Sequence, residues 1–296
     1  MRKGSIFLLL MTLGLLTLLE ACLHPAPAPN QDQRQPRLAS VDVERRLVAA
    51  KPKLMSADYR ADLDELARLR EEVAPLTGDP ALGYLAHYWA GFASWRIAIN
   101  GASRGMSTED LKFHLAKAGM DFDESVRLKE DFADAYAAAA GVYGWLGTFF
   151  MRDDYPTAKE HFDKFFRLIA RAKELEPDNP RVLWISAVPS LVLPPEKGGN
   201  LDRAIEIYRR MEAVSPAVSD AGSPLPDWGK PEALMSLANA HLQKSPPDPA
   251  AAGEEARAAL RLQPEWFYVR DILLPQIEAA QRKAVRQSEQ RPRPEP

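Results

Sequence analysis

The chain has 296 residues, of which 46% are hydrophobic and 27% charged, with 25 prolines, 16 glycines and one cysteine. This composition is that of a globular protein with one or two domains, and it excludes a collagen-like or multispanning membrane protein, while a single cysteine excludes a disulfide framework. The 38 basic and 41 acidic residues give a net charge of −3, which argues against nucleic acid as a partner.

The first 22 residues have the pattern of a secretory signal peptide. Arg2 and Lys3 precede an apolar run over residues 6–19, which is shorter than the ~20 residues that a membrane-spanning helix needs. The run ends in the sequence 19–22, Leu-Glu-Ala-Cys, which resembles a bacterial lipobox, although Glu20 replaces the usual small residue. The resemblance implies that Cys22 is lipidated and tethers the mature chain to a membrane. The alternative is a soluble secreted protein.

Two segments are predicted to lie outside the folded domain. Residues 23–55 begin with proline at alternate positions, which prevents helix formation, so we predict a disordered tether. Residues 286–296 are polar and proline-rich, and we predict a disordered tail.

The body of the chain, residues 56–285, is predicted to be all-α. Apolar residues recur at helical spacing, as in Leu63, Leu66, Ala67 and Leu69, and no segment alternates as a strand does. Glycine and proline clusters, such as those at 78–80 and 246–249, divide the helices at regular places. This pattern predicts antiparallel helical hairpins.

The hairpins are similar to one another. Their second helices repeat a small residue, a larger residue four later, a third residue and then a proline, as in Ala204, Tyr208, Met211 and Pro216. The repeats resemble tetratricopeptide repeats (TPRs) over about residues 80–266, and the repeats before residue 178 are longer than the family pattern. The resemblance implies a right-handed TPR-like superhelix of helical hairpins with a C-terminal capping helix over about residues 265–283.

In the TPR pattern, certain positions of each first helix face a concave groove that binds ligands. The resemblance places nine candidate ligand-groove residues there: Tyr88, Phe92, Trp95, Trp145, Arg181, Trp184, Val188, Met235 and Asn239. The alternative for Tyr88, Phe92 and Trp95 is packing against the preceding helix. Gly141 and Gly144 favour the groove interpretation, because a glycine within a helix costs ~1 kcal/mol unless something approaches it closely.

We find no motif for catalysis, for a metal or for a cofactor. The five histidines lie far apart in sequence, and the chain contains neither a phosphate-binding loop nor a Gly-x-Ser-x-Gly elbow. The sequence therefore predicts a non-catalytic scaffold or adaptor, lipid-anchored in a bacterial cell envelope and facing the periplasm, which binds a protein or peptide. The alternatives are a small-molecule-binding TPR subunit of a TRAP-type transporter, whose Gly-Gly turn resembles 198–199 here, and an envelope enzyme without a recognisable motif.

The lipobox resemblance leads to a direct test. We expect mass spectrometry of the mature protein to find Cys22 as a lipidated N-terminus, and Cys22→Ala to leave the membrane fraction because the chain then has no acyl anchor. A mature N-terminus elsewhere, or a Cys22→Ala variant that stays in the membrane fraction, would contradict the lipoprotein prediction.

Overall fold

The computed structural model describes residues 40–216 and 218–289. Within these residues the secondary structure is helical throughout and no strand occurs. The α-helices are α1 (Ser40–Tyr59), α2 (Leu63–Val73), α3 (Gly83–Ser103), α4 (Thr108–Leu128), α5 (Ala133–Phe150), α6 (Tyr155–Leu175), α7 (Pro180–Val192), α8 (Leu201–Val214), α9 (Lys230–Gln243), α10 (Pro249–Leu262) and α11 (Leu274–Glu289). A π-helical segment, Tyr268–Leu273, leads directly into α11. None of the described helices is long and apolar enough to cross a membrane.

The second helix of each hairpin begins at a polar capping residue. The side chain at each of these positions accepts a hydrogen bond from a backbone N–H in the first turn, which satisfies a donor that has no partner within the helix. The four caps, for α4, α6, α8 and α10 in turn, are Ser107, Asp154, Asn200 and Asp248. The turn of every hairpin is thus encoded locally.

The hairpins α3–α4, α5–α6, α7–α8 and α9–α10 stack in sequence order, and their first helices also contact one another, α3 with α5, α5 with α7 and α7 with α9. These first helices form an inner layer. The predicted all-α, TPR-like architecture is confirmed, and α11 follows the last hairpin as a capping helix. The N-terminal repeats are indeed enlarged, since α3, α4 and α6 each have 21 residues and α8 has 14.

The spacing that carried the TPR resemblance corresponds to core positions. Ala204, Tyr208 and Met211 are at most 2% exposed, because α8 turns this face toward α7 and α9. The equivalent alanines of α10 are also completely buried. Small residues at these positions let neighbouring helices approach closely, and the larger ones fill the space beside them.

The predicted tether, residues 23–55, is wrong for residues 40–55, which belong to α1. The helix buries Val43, Leu47, Ala50 and Leu54, each at most 2% exposed, against α2 and α3. These residues follow one helical face, and the prolines near residue 25 do not extend into it. Residues 23–39 lie outside the described part of the chain, as do the lipobox and Cys22. At the other end, α11 continues to Glu289, so the predicted tail boundary at 286 is too early; residues 290–296 are not described.

The burial of α1 predicts that this helix stabilises the domain. We expect Leu47→Ala to reduce the free energy of unfolding by about 2–5 kcal/mol, because it leaves a cavity in the main core. Val41→Ala is the matched control on the same helix: Val41 is 76% exposed, and its truncation should change stability by less than about 0.5 kcal/mol. Urea unfolding followed by circular dichroism measures both. Equal, small effects would show that α1 is not part of the core.

Candidate binding surface on the inner helical layer

Part of the inner layer is covered by the chain itself. The segment 218–229, between α8 and α9, packs against α1 and α3. The buried Lys51 ammonium of α1 donates to the carbonyls of Asp220 (2.8 Å) and Leu225 (3.3 Å) and pairs with the Asp227 carboxylate at 2.9 Å. On α3, the Trp89 indole donates to the Pro224 carbonyl at 2.8 Å. An inner surface over α3 that could bind a ligand is therefore already occupied.

Trp228 is the side chain that this segment inserts into the inner layer. It is 4% exposed, its indole N–H lies 3.2 Å from the Tyr88 hydroxyl oxygen, and its ring centroid is 6.2 Å from that of Phe92 and 5.5 Å from that of Trp184. The apolar ring occupies the space between α3 and α7.

The predicted groove positions of α3 are wrong. Tyr88 and Phe92 are completely buried and Trp95 is 3% exposed, so all three are core residues and the packing alternative is correct. Their packing is not limited to the preceding helix, α2. The rings of Tyr88 and Trp95 also contact that of Phe122 on α4, at centroid distances of 5.7 and 6.0 Å. Large rings fill the wider space that the enlarged hairpin leaves.

Arg181 is also absent from the open surface. Its side chain is buried, its guanidinium pairs with the Asp134 carboxylate of α5, and Nη1 donates to the Trp228 carbonyl at 3.1 Å. Asn179 donates to the same carboxylate at 3.1 Å. Arg181 therefore anchors the end of segment 218–229 to α5 and cannot contact a ligand in the groove.

The two glycines that favoured the groove are explained by internal packing. A Cβ on Gly141 would lie 2.8 Å from Cδ1 of Ile185 and 2.9 Å from Cζ2 of Trp95, and one on Gly144 would lie 2.8 Å from Cδ2 of Phe165. Both glycines make room for side chains of neighbouring helices. The inference from glycine to an approaching ligand is wrong, because the approaching group belongs to the protein.

A buried polar cluster joins α1, α3 and α9. Asp58 lies 3.4 Å from Nε of Arg96 and accepts a hydrogen bond from Asn100 at 2.8 Å. The adjacent Tyr59 hydroxyl donates to Glu232 at 2.7 Å. All five side chains are at most 5% exposed, so α1 is held at once to the first and the last hairpin of the stack.

The guanidinium of Arg96 lies among aromatic rings. Its central carbon is 4.8–5.3 Å from the ring centroids of Phe92, Trp95, Trp184 and Trp228, distances at which cation–π attraction operates. Nε and Nη2 of Arg96 have no hydrogen-bond partner within the described residues. The ring contacts compensate in part for these unpaired donors.

The remaining predicted positions are each partly exposed, and we call this set, which spans three first helices, the inner strip: Trp145 of α5, Trp184 and Val188 of α7, and Met235 and Asn239 of α9. Trp184 packs against two core clusters and donates from its indole to Ser236 at 3.0 Å, so it has a structural role as well as a partly exposed edge.

Two residues that the sequence analysis missed extend the inner strip. Phe149 stacks on Trp145 at a centroid distance of 6.0 Å, and the Tyr268 hydroxyl donates to Asn239 at 3.0 Å. Phe149 follows Trp145 by one helical turn, which is a signal that periodicity could have supplied. Tyr268 comes from the π-helical segment, and its proximity to α9 depends on the tertiary fold.

The described residues hold no arrangement with an evident catalytic role. His87 Nδ1 lies 3.1 Å from Asp121, and Arg70 donates to that carboxylate at 2.7 Å. The nearby Ser94 hydroxyl accepts a hydrogen bond from Arg70 at 2.8 Å, so these residues do not have the hydrogen bonds of a Ser-His-Asp triad. No group of three or more metal-ligating side chains occurs in this part of the chain.

Glu232 provides a pH-dependent test of the buried cluster. Burial raises the pKa of Glu232, and the opposing effects of Arg96 and of the Tyr59 hydrogen bond are smaller. The folded state therefore holds this proton more tightly than the unfolded state, and the resulting stabilisation is complete below the unfolded pKa and is lost as pH rises through the folded pKa.

We expect Glu232→Gln, whose amide oxygen can still accept from Tyr59, to gain stability relative to the unmodified protein as pH rises. The gain should be at most about 1.4 kcal/mol per pH unit while the group titrates. Asp58, whose pKa burial also raises, is present in both proteins, and its charge raises the pKa of Glu232, so the difference reports Glu232 together with its coupling to Asp58. Urea unfolding between about pH 4 and pH 8 measures it, and a constant difference would contradict the assignment.

Comparisons with known proteins give limited likenesses. No protein-family description and no curated protein matches the chain. A thermophilic TPR protein of Thermus thermophilus is similar over 82% of this chain and 98% of its own, with 16% identity and a TM-score of 0.47. The HusA haemophore of Porphyromonas gingivalis is similar over 70% of this chain and 94% of its own, with 23% identity and a TM-score of 0.40. Since both scores are below 0.5, the TPR-like architecture rests on the helix packing of this chain.

Proposed function

We propose that this protein is a non-catalytic scaffold or adaptor that binds an extended segment of a protein or peptide partner at the inner strip. The observation that carries the proposal is the partial exposure of Trp145, Val188, Met235 and Asn239 on three consecutive first helices. Segment 218–229 covers the predicted positions of α3, whereas the predicted positions of the strip stay partly exposed.

The dimensions of the strip favour a short extended ligand. Packed helices lie about 8–10 Å apart, so α5, α7 and α9 together span about 16–20 Å between their outer axes. An extended peptide covers this distance with about five or six residues.

The chemistry of the strip favours an apolar ligand side chain with backbone contacts. Trp145 and Phe149 offer a flat aromatic surface, and buried aromatic anchors dominate the energetics of many interfaces. Asn239 can accept one hydrogen bond from a peptide N–H at the second lone pair of Oδ1, since its Nδ2 already donates to the Met235 carbonyl and Oδ1 already accepts from Tyr268. The repeat stack supplies a rigid support for these contacts.

The proposed location is the bacterial cell envelope, with a lipid on Cys22 and the folded domain facing the periplasm. The lipobox resemblance at residues 19–22 supports it. Residues 23–39 would then separate the membrane from α1, and the proposed partner would be a periplasmic protein or peptide.

Binding at the strip can be tested with peptides selected from a displayed library on the immobilised mature protein. We expect Val188→Asp to raise the Kd of a selected peptide at least about tenfold, or ~1.4 kcal/mol, because it places a charge where the ligand buries apolar surface. Met235→Gln on α9 should act in the same direction. Isothermal titration calorimetry measures the affinities, and the melting temperature shows whether each variant folds.

The matched control is Val214→Asp, at the end of α8, where the valine is 42% exposed and outside the strip. It should leave the affinity unchanged. A selection that yields no binder, or selected peptides that bind Val188→Asp and Met235→Gln as tightly as the unmodified protein, would overturn the proposal.

A further inference from the structure

A cavity of about 340 Å³ lies apart from the inner strip, and none of the strip residues lines it. It opens where α1, segment 218–229, the start of α9 and the turn 262–265 meet. These four elements come from both ends of the stack. Its volume lies at the lower end of the range for small-molecule sites, about 300–1,000 Å³.

Two of the four charged residues in the wall neutralise each other. Lys51 and Asp227 form the ion pair that holds segment 218–229 to α1, with Nζ and Oδ2 2.9 Å apart. Because this ion pair is internal to the protein, the two residues leave little net charge for a ligand.

The other two wall charges form no ion pair. Lys230 and Glu265 also form no side-chain hydrogen bond within the described residues, and they carry opposite signs. Glu265 is exposed and interacts electrostatically with Arg270. Lys230 is also the first residue of α9, which has 14 residues and no side-chain cap at Gly229. The positive charge there is the Lys230 ammonium, because Pro231 has no backbone N–H and the Glu232 N–H bonds the Glu232 carboxyl group. The cavity wall thus carries one anion-attracting side chain, Lys230, and one cation-attracting carboxylate, Glu265.

Much of the rest of the wall is apolar. Met55 and Tyr59 of α1, Trp228 and Leu262 contribute thioether, aromatic and aliphatic surface. Tyr59 and Trp228 are fixed by the buried cluster, since Tyr59 donates to Glu232 and Trp228 contacts Arg96. Their positions do not depend on a ligand, so this part of the wall is preformed.

From this arrangement we propose that the cavity binds a small zwitterion with an apolar side chain, namely a free amino acid or a short peptide. The ligand carboxylate lies at Lys230, its ammonium group lies at Glu265, and its side chain contacts Met55, Trp228 and Leu262. This site is independent of the proposed binding at the inner strip.

The test is calorimetric titration of the mature protein with L-leucine and with L-leucyl-L-leucine, against N-acetyl-leucine amide as a ligand of similar apolar character without charges. We expect at least one zwitterion to bind, and the blocked ligand to bind at least about tenfold more weakly, because it offers neither charge. Which zwitterion binds more tightly identifies the source as a free amino acid or a peptide.

Charge-removing variants locate the site. Lys230→Gln and Glu265→Gln should each raise the Kd at least about tenfold. Lys244→Gln and Glu254→Gln are the matched controls, because these residues form no ion pair and do not line the cavity. They should leave the affinity unchanged.

Three results would overturn the proposal: no binding of either zwitterion up to about 10 mM, equal binding of the blocked ligand, or equal affinity of the cavity and control variants. If a cavity variant does not fold, the comparison of charged and blocked ligands on the unmodified protein still decides. Loss of peptide binding in strip variants has no bearing on this outcome, so the two proposals fail separately.

Discussion

The hydrogen bond from Tyr59 to Glu232, beside the ion pair of Asp58 with Arg96, is the contact on which the arrangement of this molecule depends. The hydrogen bond joins residues 173 positions apart in sequence and ties α1 to α9, and the ion pair ties α1 to α3. In a linear repeat stack each hairpin contacts only its neighbours. Here α1 connects the first hairpin with the last, and the ring of Tyr59 also meets that of Trp266 at 5.0 Å. The two ends of the stack are therefore held by one helix.

This connection determines which surfaces a ligand can reach. With α1 in place, Lys51 holds segment 218–229 over α3, and Trp228 enters the inner layer. The first hairpin consequently buries its aromatic residues against the rest of the chain, whereas α5, α7 and α9 keep partly exposed side chains. The same contact creates the cavity, because its walls come from α1 and from the C-terminal hairpin.

Arg96 shows how the buried polar cluster accommodates a charged side chain. A buried guanidinium with unpaired N–H groups is unfavourable, and replacing buried ion pairs by apolar residues often stabilises a protein. The four surrounding rings offset part of that penalty, and the directional contacts of Asp58, Asn100 and Arg96 admit fewer alternative packings than an apolar surface would. We interpret the cluster as fixing the position of α1 on the stack more than as adding to its stability.

The sequence by itself determined the helical repeat. Capping residues such as Asp154 and Asn200, and the small–large spacing of Ala204, Tyr208 and Met211, act within one hairpin, so they are readable without knowledge of the rest of the chain. The enlarged second repeat was readable for the same reason, since the apolar face of α6 continues along its whole length.

The tertiary structure decided what covers each face. Periodicity shows that Tyr88, Phe92 and Trp95 share a surface of α3, but it does not show whether a ligand or Trp228, more than a hundred residues away, fills the space in front of them. The charged residues and Pro52 of α1 concealed a core helix, whose partners lie on α2, α3 and α9. Helical faces follow from local spacing, whereas their occupants follow from contacts between distant segments, and these exist only once the chain has folded.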